Sequence, residues 1–316
     1  MSARLAARDA VQLAHVLAVE VAREAGVRAL VIKGPTASAH GLRPDRASAD
    51  ADVLIAPGDE EAYLRALVRC GWRERAPGAS PDPDFAHSAT VLHPQWPCDI
   101  DVHRTYPGFI APPVDVFEAL WRRRTVLVIA GREVDAVDRN AAILIGALHA
   151  LRSAPASPRH GKEIRRLADE VVPALGGSEQ ADLVALASAI GAVDSARPVL
   201  ERVSAPLPPP RAHGEDAALD EWRSRVGGHG GMLAQWIPRL ARASRRDRMK
   251  LLRRVVWPSE EEFRRTHPAT AQGRRAAVLG RLARVGRGVR ATPRALWGAI
   301  LARRGVTDAS VLRDDV

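Results

Sequence analysis

The chain has 316 residues, 46% of them hydrophobic and 27% charged, the mix of a folded protein with a sizeable core rather than a disordered one. Its best apolar run, Ala141 to Leu148, falls well short of the roughly 18–20 residues that cross a bilayer, the N-terminus lacks a signal-peptide block, and two unclustered cysteines, Cys70 and Cys98, exclude a disulfide scaffold or a multi-cysteine zinc site. The net charge of +10 is uneven, with 12 basic and 16 acidic side chains in residues 1–120 against 35 and 21 in residues 121–316, so a mildly acidic part precedes a basic one.

Residues 5–25 repeat apolar positions at helical spacing and stop at Gly26. RALVIKG is a short β-rich run ending at Gly34, and PTASAHG is a short helix with Pro35 in its first turn. ADADVLIA (49–56) alternates and then becomes wholly apolar, as a strand entering a core does. Residues 58–71 form an amphipathic helix, 76–84 a loop, and SATVLH (88–93) and CDIDVHR (98–104) two further strands around a tight PQWP turn. VFEALWRR and a hairpin turning at Gly131 follow. Helices are then expected at 138–152, 161–174, 179–190, 215–226, 231–243 and 244–256, broken by PLPPP (206–210) and GGHGG (227–231). The fold class is α+β: a small mixed sheet covered by helices, then an all-α C-terminal part. The division expected is 1–137, 138–268 and a basic helical extension at 269–316.

In that extension Val278, Leu282, Val285 and Val289 form one stripe, with Arg274, Arg281, Arg284 and Arg287 offset from it. The plain reading is a terminal helix packed on its own domain with a solvated arginine face. A membrane surface, a nucleic acid or a protein partner are the alternatives. Because 44 of the 47 basic residues are arginine, compositional bias accounts for much of the charge.

The chemically informative residues are Lys33-Gly34, the segment Arg46-Ala47-Ser48-Ala49-Asp50-Ala51-Asp52, and Asp99-Ile100-Asp101-Val102-His103. Residues two apart in a strand share a face, so Asp50 and Asp52 project together, as do Asp99 and Asp101. Like charges buried side by side are costly without a neutralising cation. Mg²⁺ takes oxygen ligands and leaves room for phosphate oxygens, and a third carboxylate from a neighbouring strand completes a two-ion site. Gly34 lets backbone approach a phosphate. Lys33 and Arg46 bring positive charge to a triphosphate, and Thr36 or Ser48 a hydroxyl. Lys33 reads equally as a strand-end lysine with its ammonium in water. Asp99, at the strand start, reads as an ordinary exposed acid. His103 reads as facing away from Asp101, in a core or supporting role, and His87 and His93 as loop-flanking residues. His149, His160 and Glu163 can be drawn as a metal cluster, although a histidine on an apolar helix is usually packing. GRGVRA (286–291) imitates a dinucleotide motif without the preceding strand that motif needs.

Together the three segments resemble the nucleotidyltransferase superfamily that includes DNA polymerase β. They are most similar to a bacterial branch in which a strand ending in Lys-Gly precedes an Arg-x-Ser-x-Asp-x-Asp strand and a later Asp-x-His strand. The resemblance covers roughly residues 25–105. It implies transfer of a nucleoside monophosphate from a nucleoside triphosphate to an acceptor, dependent on two Mg²⁺ or Mn²⁺ ions, with release of pyrophosphate. By that resemblance Asp50 and Asp52 hold both metals, Asp101 holds the catalytic metal and helps deprotonate the acceptor, and Gly34 lines the triphosphate. The chain departs from the wider superfamily at Gly34-Pro35, where Gly-Ser or Gly-Gly is usual, and in a longer stretch from Gly34 to Asp50. The acceptor is left open, with a small molecule, peptide or protein ahead of an RNA end. The other classes of function are a degenerate nucleotide-binding relative and a nucleic-acid- or partner-binding helical protein. A cytoplasmic location is expected.

Overall fold

The computed structural model describes residues 5–44, 46, 48–75, 87–153, 158–212, 214–226, 244–258, 263 and 273–303. The expected loop at 76–84 and the helix at 231–243 lie outside them. Two compact units are present: the described residues from 5 to 211 belong to one and those from 212 to 303 to the other.

In the first unit, alanines four residues apart (Ala10, Ala14, Ala18 and Ala22) run down one side of α1 (Ala7–Glu24), and all four are buried. Such a stripe brings a helix close to a sheet, because residues at i and i+4 share a face. β1 (Ala29–Val31), α2 (Pro35–Ala39), β2 (Asp50–Ile55), α3 (Glu60–Arg69), β3 (Arg73–Glu74), β4 (Ser88–Leu92), β5 (Asp99–His103), α4 (Pro113–Arg122), β6 (Thr125–Ile129) and β7 (Arg132–Ala136) follow. Among the described residues the strands form one seven-stranded mixed sheet in the order β3-β4-β5-β2-β1-β7-β6. The hairpin turning at Gly131 joins this sheet, because β7 pairs in parallel with β1.

Alternation divides β2 and β5 between two faces. Ala51, Val53, Ile55, Ile100 and Val102 join α1 and α3 in one core cluster with Tyr63, Leu67 and Trp72. Asp50, Asp52, Asp101 and His103 are consequently on the opposite face. On that face lie α5 (Arg139–Ser153), α6 (Pro158–Arg166) and the start of a π turn over Leu167–Val171, and α7 (Gly177–Ala189) and α8 (Arg197–Leu200) complete the unit. The π turn closes through Val172 N–H donating to Leu167 O at 2.9 Å, so the expected 161–174 helix changes pitch beside the site.

The second unit contains α9 (Ala217–Val226), α10 (Arg245–Val256) and α11 (Arg274–Arg303). The terminal helix departs from the expected packing at Arg281. Val278, Leu282 and Val289 are exposed, whereas Ala277 and Arg281 are buried and Arg281 stacks over Trp257 at 5.4 Å. A guanidinium can pack flat on an indole and still carry its charge, so an arginine rather than the valine stripe faces inward. Gly286 to Ala291 lie within α11, without a preceding strand. No helix among the described residues is long and apolar enough to cross a membrane.

Candidate metal and nucleotide site

β2 and β5 are adjacent parallel strands whose register sets Asp50 opposite Asp99 and Asp52 opposite Asp101. The two motifs that the sequence separates by about fifty residues therefore meet at the centre of the sheet. Asp52 is 3% exposed. Its Oδ1 lies 2.5 Å from Lys33 Nζ and accepts from His103 Nε2 at 2.9 Å. Burial pushes its pKa up, but the His103 hydrogen bond and the Lys33 charge outweigh this and hold it well below the usual carboxylate range. Burial likewise opposes the charge on Lys33, and Asp52, Tyr106 and Asp50 more than offset it, so its pKa is raised. Thr90 on β4 donates to Asp101 Oδ1 at 2.6 Å and so fixes the plane of that carboxylate.

The expectation for His103 is corrected. It sits two residues after Asp101, so strand alternation places both on one face, and its ring reaches Asp52 rather than turning away. Asp99 pairs with Arg75 at the strand start. His149 and His160 pack edge to face at 5.0 Å, and Glu163 pairs with Arg46 at 2.7 Å and Arg159 at 3.8 Å, so that trio is held by packing and ion pairs. Among the described residues, Asp52, Asp101 and His103 form the group that could hold a metal ion, with one ligand atom from each within 4.8 Å of the others.

The donor set fits a hard divalent cation. Carboxylate oxygens predominate, and a third carboxylate, Asp50, lies beside them on β2. Burial, then repulsion from Asp52 and Asp101, pushes the pKa of Asp50 up to about 6.

Asp50 and Asp52 open onto a cleft of about 350 Å³, shared with Lys33, Gly34, Arg46 and Ser48 and walled by Ile145 and His149 of α5 and Arg159 and Glu163 of α6. Arg46 thus spans from the loop before β2 to α6. Thr36 is buried, its hydroxyl donating to the carbonyls of Ile32 and Lys33, so its proton serves the backbone. Gly34 adopts φ +53° and ψ −110°, a conformation other residues avoid. A Cβ there would come within 3.2 Å of Ser48 Oγ and 3.3 Å of His15 Cε1. Gly34→Ala should therefore cost about 1–3 kcal/mol of stability, read from the denaturant midpoint. An unchanged midpoint would show that the turn carries no strain.

Three supporting residues escape the sequence motifs. His15, fully buried on α1, donates from Nδ1 to Val11 O at 2.7 Å, and its Nε2 accepts from the Asp52 backbone N–H at 3.3 Å. It satisfies that amide just beyond the end of the β1 ladder, and burial lowers its pKa. A histidine inside an alanine-rich helical stripe was the available signal. Arg43 donates to Gly34 O and Ser48 Oγ, both at 3.1 Å, tying the turn to the loop before β2. Tyr106 donates to Ile145 O at 3.2 Å.

His149 provides a pH prediction. Burial, then the charges of Lys33 and Arg152, pushes its pKa down to about 3, below the ordinary value of about 6.5. The folded protein thus binds fewer protons here than the unfolded chain between those values, and this contribution to stability is complete above pH 6.5 and lost as pH falls toward 3. His149→Gln should gain on the wild type in melting temperature, by on the order of a few °C, as pH drops from 7 to 4.5. A pH-independent difference would contradict the neutral-histidine assignment.

No family model matches the sequence, and no curated protein matches it. Among solved structures, the chain is similar to the antibiotic-resistance factor ANT(2'')-Ia, with 17% identity over 61% of this chain and 96% of that one and a TM-score of 0.40. An antigenic nucleotidyltransferase-like protein from Paracoccidioides brasiliensis matches at 17% identity over 64% and 96%, with a TM-score of 0.36. A tRNA nucleotidyltransferase in complex with a primer tRNA and an incoming ATP analogue matches at 14% identity over 93% and 96%, with a TM-score of 0.26. At identities and scores this low, what those proteins bind and do stays with them.

Proposed function

We propose that this chain is a metal-dependent nucleotidyltransferase that moves a nucleoside monophosphate from a nucleoside triphosphate to an acceptor hydroxyl. The observation that carries the proposal is the pairing of Asp52 with Asp101 on adjacent parallel strands, with Asp50 beside them and a cleft lined by Lys33, Arg46 and Arg159 in front. In this reading the acceptor oxygen attacks the α-phosphorus. A new P–O bond forms, the bond to the β-phosphate bridge breaks, and pyrophosphate leaves. Asp101, its plane fixed by Thr90, takes the proton of the acceptor hydroxyl. Lys33 and Arg46 receive phosphate oxygens, Ser48 offers a hydroxyl, and Gly34 and Thr36 shape the turn beneath them. Asp50, Asp52 and Asp101 would hold two Mg²⁺ or Mn²⁺ ions, which supply charge neutralisation of the phosphates and a more acidic acceptor hydroxyl.

The same proposal assigns residues 1–137 to catalysis, 138–268 to a helical part whose α5 and α6 wall the cleft, and 269–316 to a basic extension. It also sets the protein in the cytoplasm, with a small molecule, peptide or protein as acceptor ahead of RNA. Incubation with each labelled triphosphate, Mg²⁺ or Mn²⁺ and a panel of these acceptors tests it, with label transfer and pyrophosphate as the expected products. The absence of both with every triphosphate would reject the proposal.

A second reading, nucleotide binding without turnover, draws on the engagement of Asp52 Oδ1 by both Lys33 and His103 and on Pro35, which lacks an amide donor. Calorimetry showing Mg²⁺-dependent triphosphate binding, with no pyrophosphate formed, would favour it.

A further inference from the structure

The feature of the site that the proposed reaction leaves unexplained is the contact of the Lys33 ammonium with Asp52. The ammonium lies 2.5 Å from Asp52 Oδ1, on the same oxygen that accepts from His103. Asp52 is buried, and the Lys33 side chain is 18% exposed at the cleft. A buried carboxylate needs a compensating positive charge, and here a protein side chain provides it. Lys33 also sits two residues after β1, next to the positive-φ Gly34, and its flexible four-carbon stem is long enough to move its charge. The cleft it faces is the one in which a triphosphate would lie.

We infer that Lys33 is a resident substitute for the divalent ion, balancing Asp52 while no metal is bound and yielding it when metal and nucleotide arrive together. This rests on the nucleotidyltransferase reading. Lys33 and the metal compete for one carboxylate, so the lysine weakens metal binding in the absence of nucleotide. A triphosphate offers the ammonium new oxygen partners and releases Asp52 to the metal. Nucleotide and metal therefore strengthen each other's binding, as linkage requires. A lysine whose ammonium stood away from Asp52 would leave the metal's intrinsic affinity nearly unchanged.

Mn²⁺ affinity, measured without nucleotide from the free-ion electron paramagnetic resonance signal, tests this directly. Lys33→Met should bind Mn²⁺ about tenfold more tightly than the wild type, and Mn²⁺ should raise its melting temperature by more. Lys33→Arg, which keeps the charge, should stay close to the wild type. If Lys33→Met does not fold, Lys33→Gln should show the same tightening. Wild-type or weaker Mn²⁺ affinity in a folded charge-removing variant overturns the inference and leaves the metal site standing. Mn²⁺ binding absent from both wild type and variant, or unaffected by Asp101→Asn, overturns the nucleotidyltransferase reading, and the inference with it.

Discussion

Asp101→Asn should lower nucleotidyl transfer by on the order of a thousandfold or more, equivalent to about 4 kcal/mol of transition-state stabilisation, while the folded protein survives. Asparagine keeps the shape of the side chain, and Thr90 can still donate to its oxygen, as it does to Asp101 Oδ1 at 2.6 Å. The substitution also removes a like charge from beside Asp50, whose pKa is already pushed up by Asp52 and Asp101, so stability should hold or rise slightly. Asp52→Asn should lose as much activity but also stability, because it strands Lys33 and His103 beside a neutral amide. Breaking a buried ion pair from one side costs about 3–5 kcal/mol at most. Pyrophosphate release and thermal unfolding, measured on the same samples, separate the two variants. Full activity in Asp101→Asn would remove that residue from the chemistry.

The adjacent residue should behave in the opposite way. Ile100 is fully buried in the cluster with α1, on the face of β5 away from Asp101. Ile100→Ala should cost about 2–5 kcal/mol of stability through lost burial and the cavity left behind. Activity per folded molecule should stay within a few-fold of the wild type, because the strand register that holds Asp101 beside Asp52 is set by backbone pairing. Denaturant unfolding combined with activity corrected for the folded fraction checks this. A large loss of activity in fully folded Ile100→Ala would mean that the two faces of the sheet are not separable.

The alternation that separates these two effects was also what made the site legible. DADVLI and DIDVH each place carboxylates on one face and aliphatic residues on the other, and their adjacency follows from the assumption of one sheet. The parallel pairing and its register depend on contacts between segments nearly fifty residues apart, which local pattern does not encode. His103 was misread although the two-residue rule covers it. His15 and Arg43 were missed because their partners are a backbone amide and a carbonyl, and such partners leave no motif. The terminal helix misled for another reason. Its apolar stripe is real, but hydrophobic periodicity identifies an amphipathic face without saying which face is covered, and here the arginine over Trp257 is the buried side. The cleft wall from α5 and α6 had no sequence signal beyond the histidines and Glu163, whose actual partners are each other and nearby arginines.

The central claim, that carboxylates of two neighbouring strands gather a divalent ion against a triphosphate, is tested most directly by anomalous diffraction from crystals grown with Mn²⁺ and a non-hydrolysable nucleoside triphosphate. The account predicts manganese peaks within coordination distance of Asp52 and Asp101, with the phosphates in the cleft beside Lys33 and Arg46. Manganese bound only elsewhere, or a triphosphate seated away from these aspartates, would contradict it.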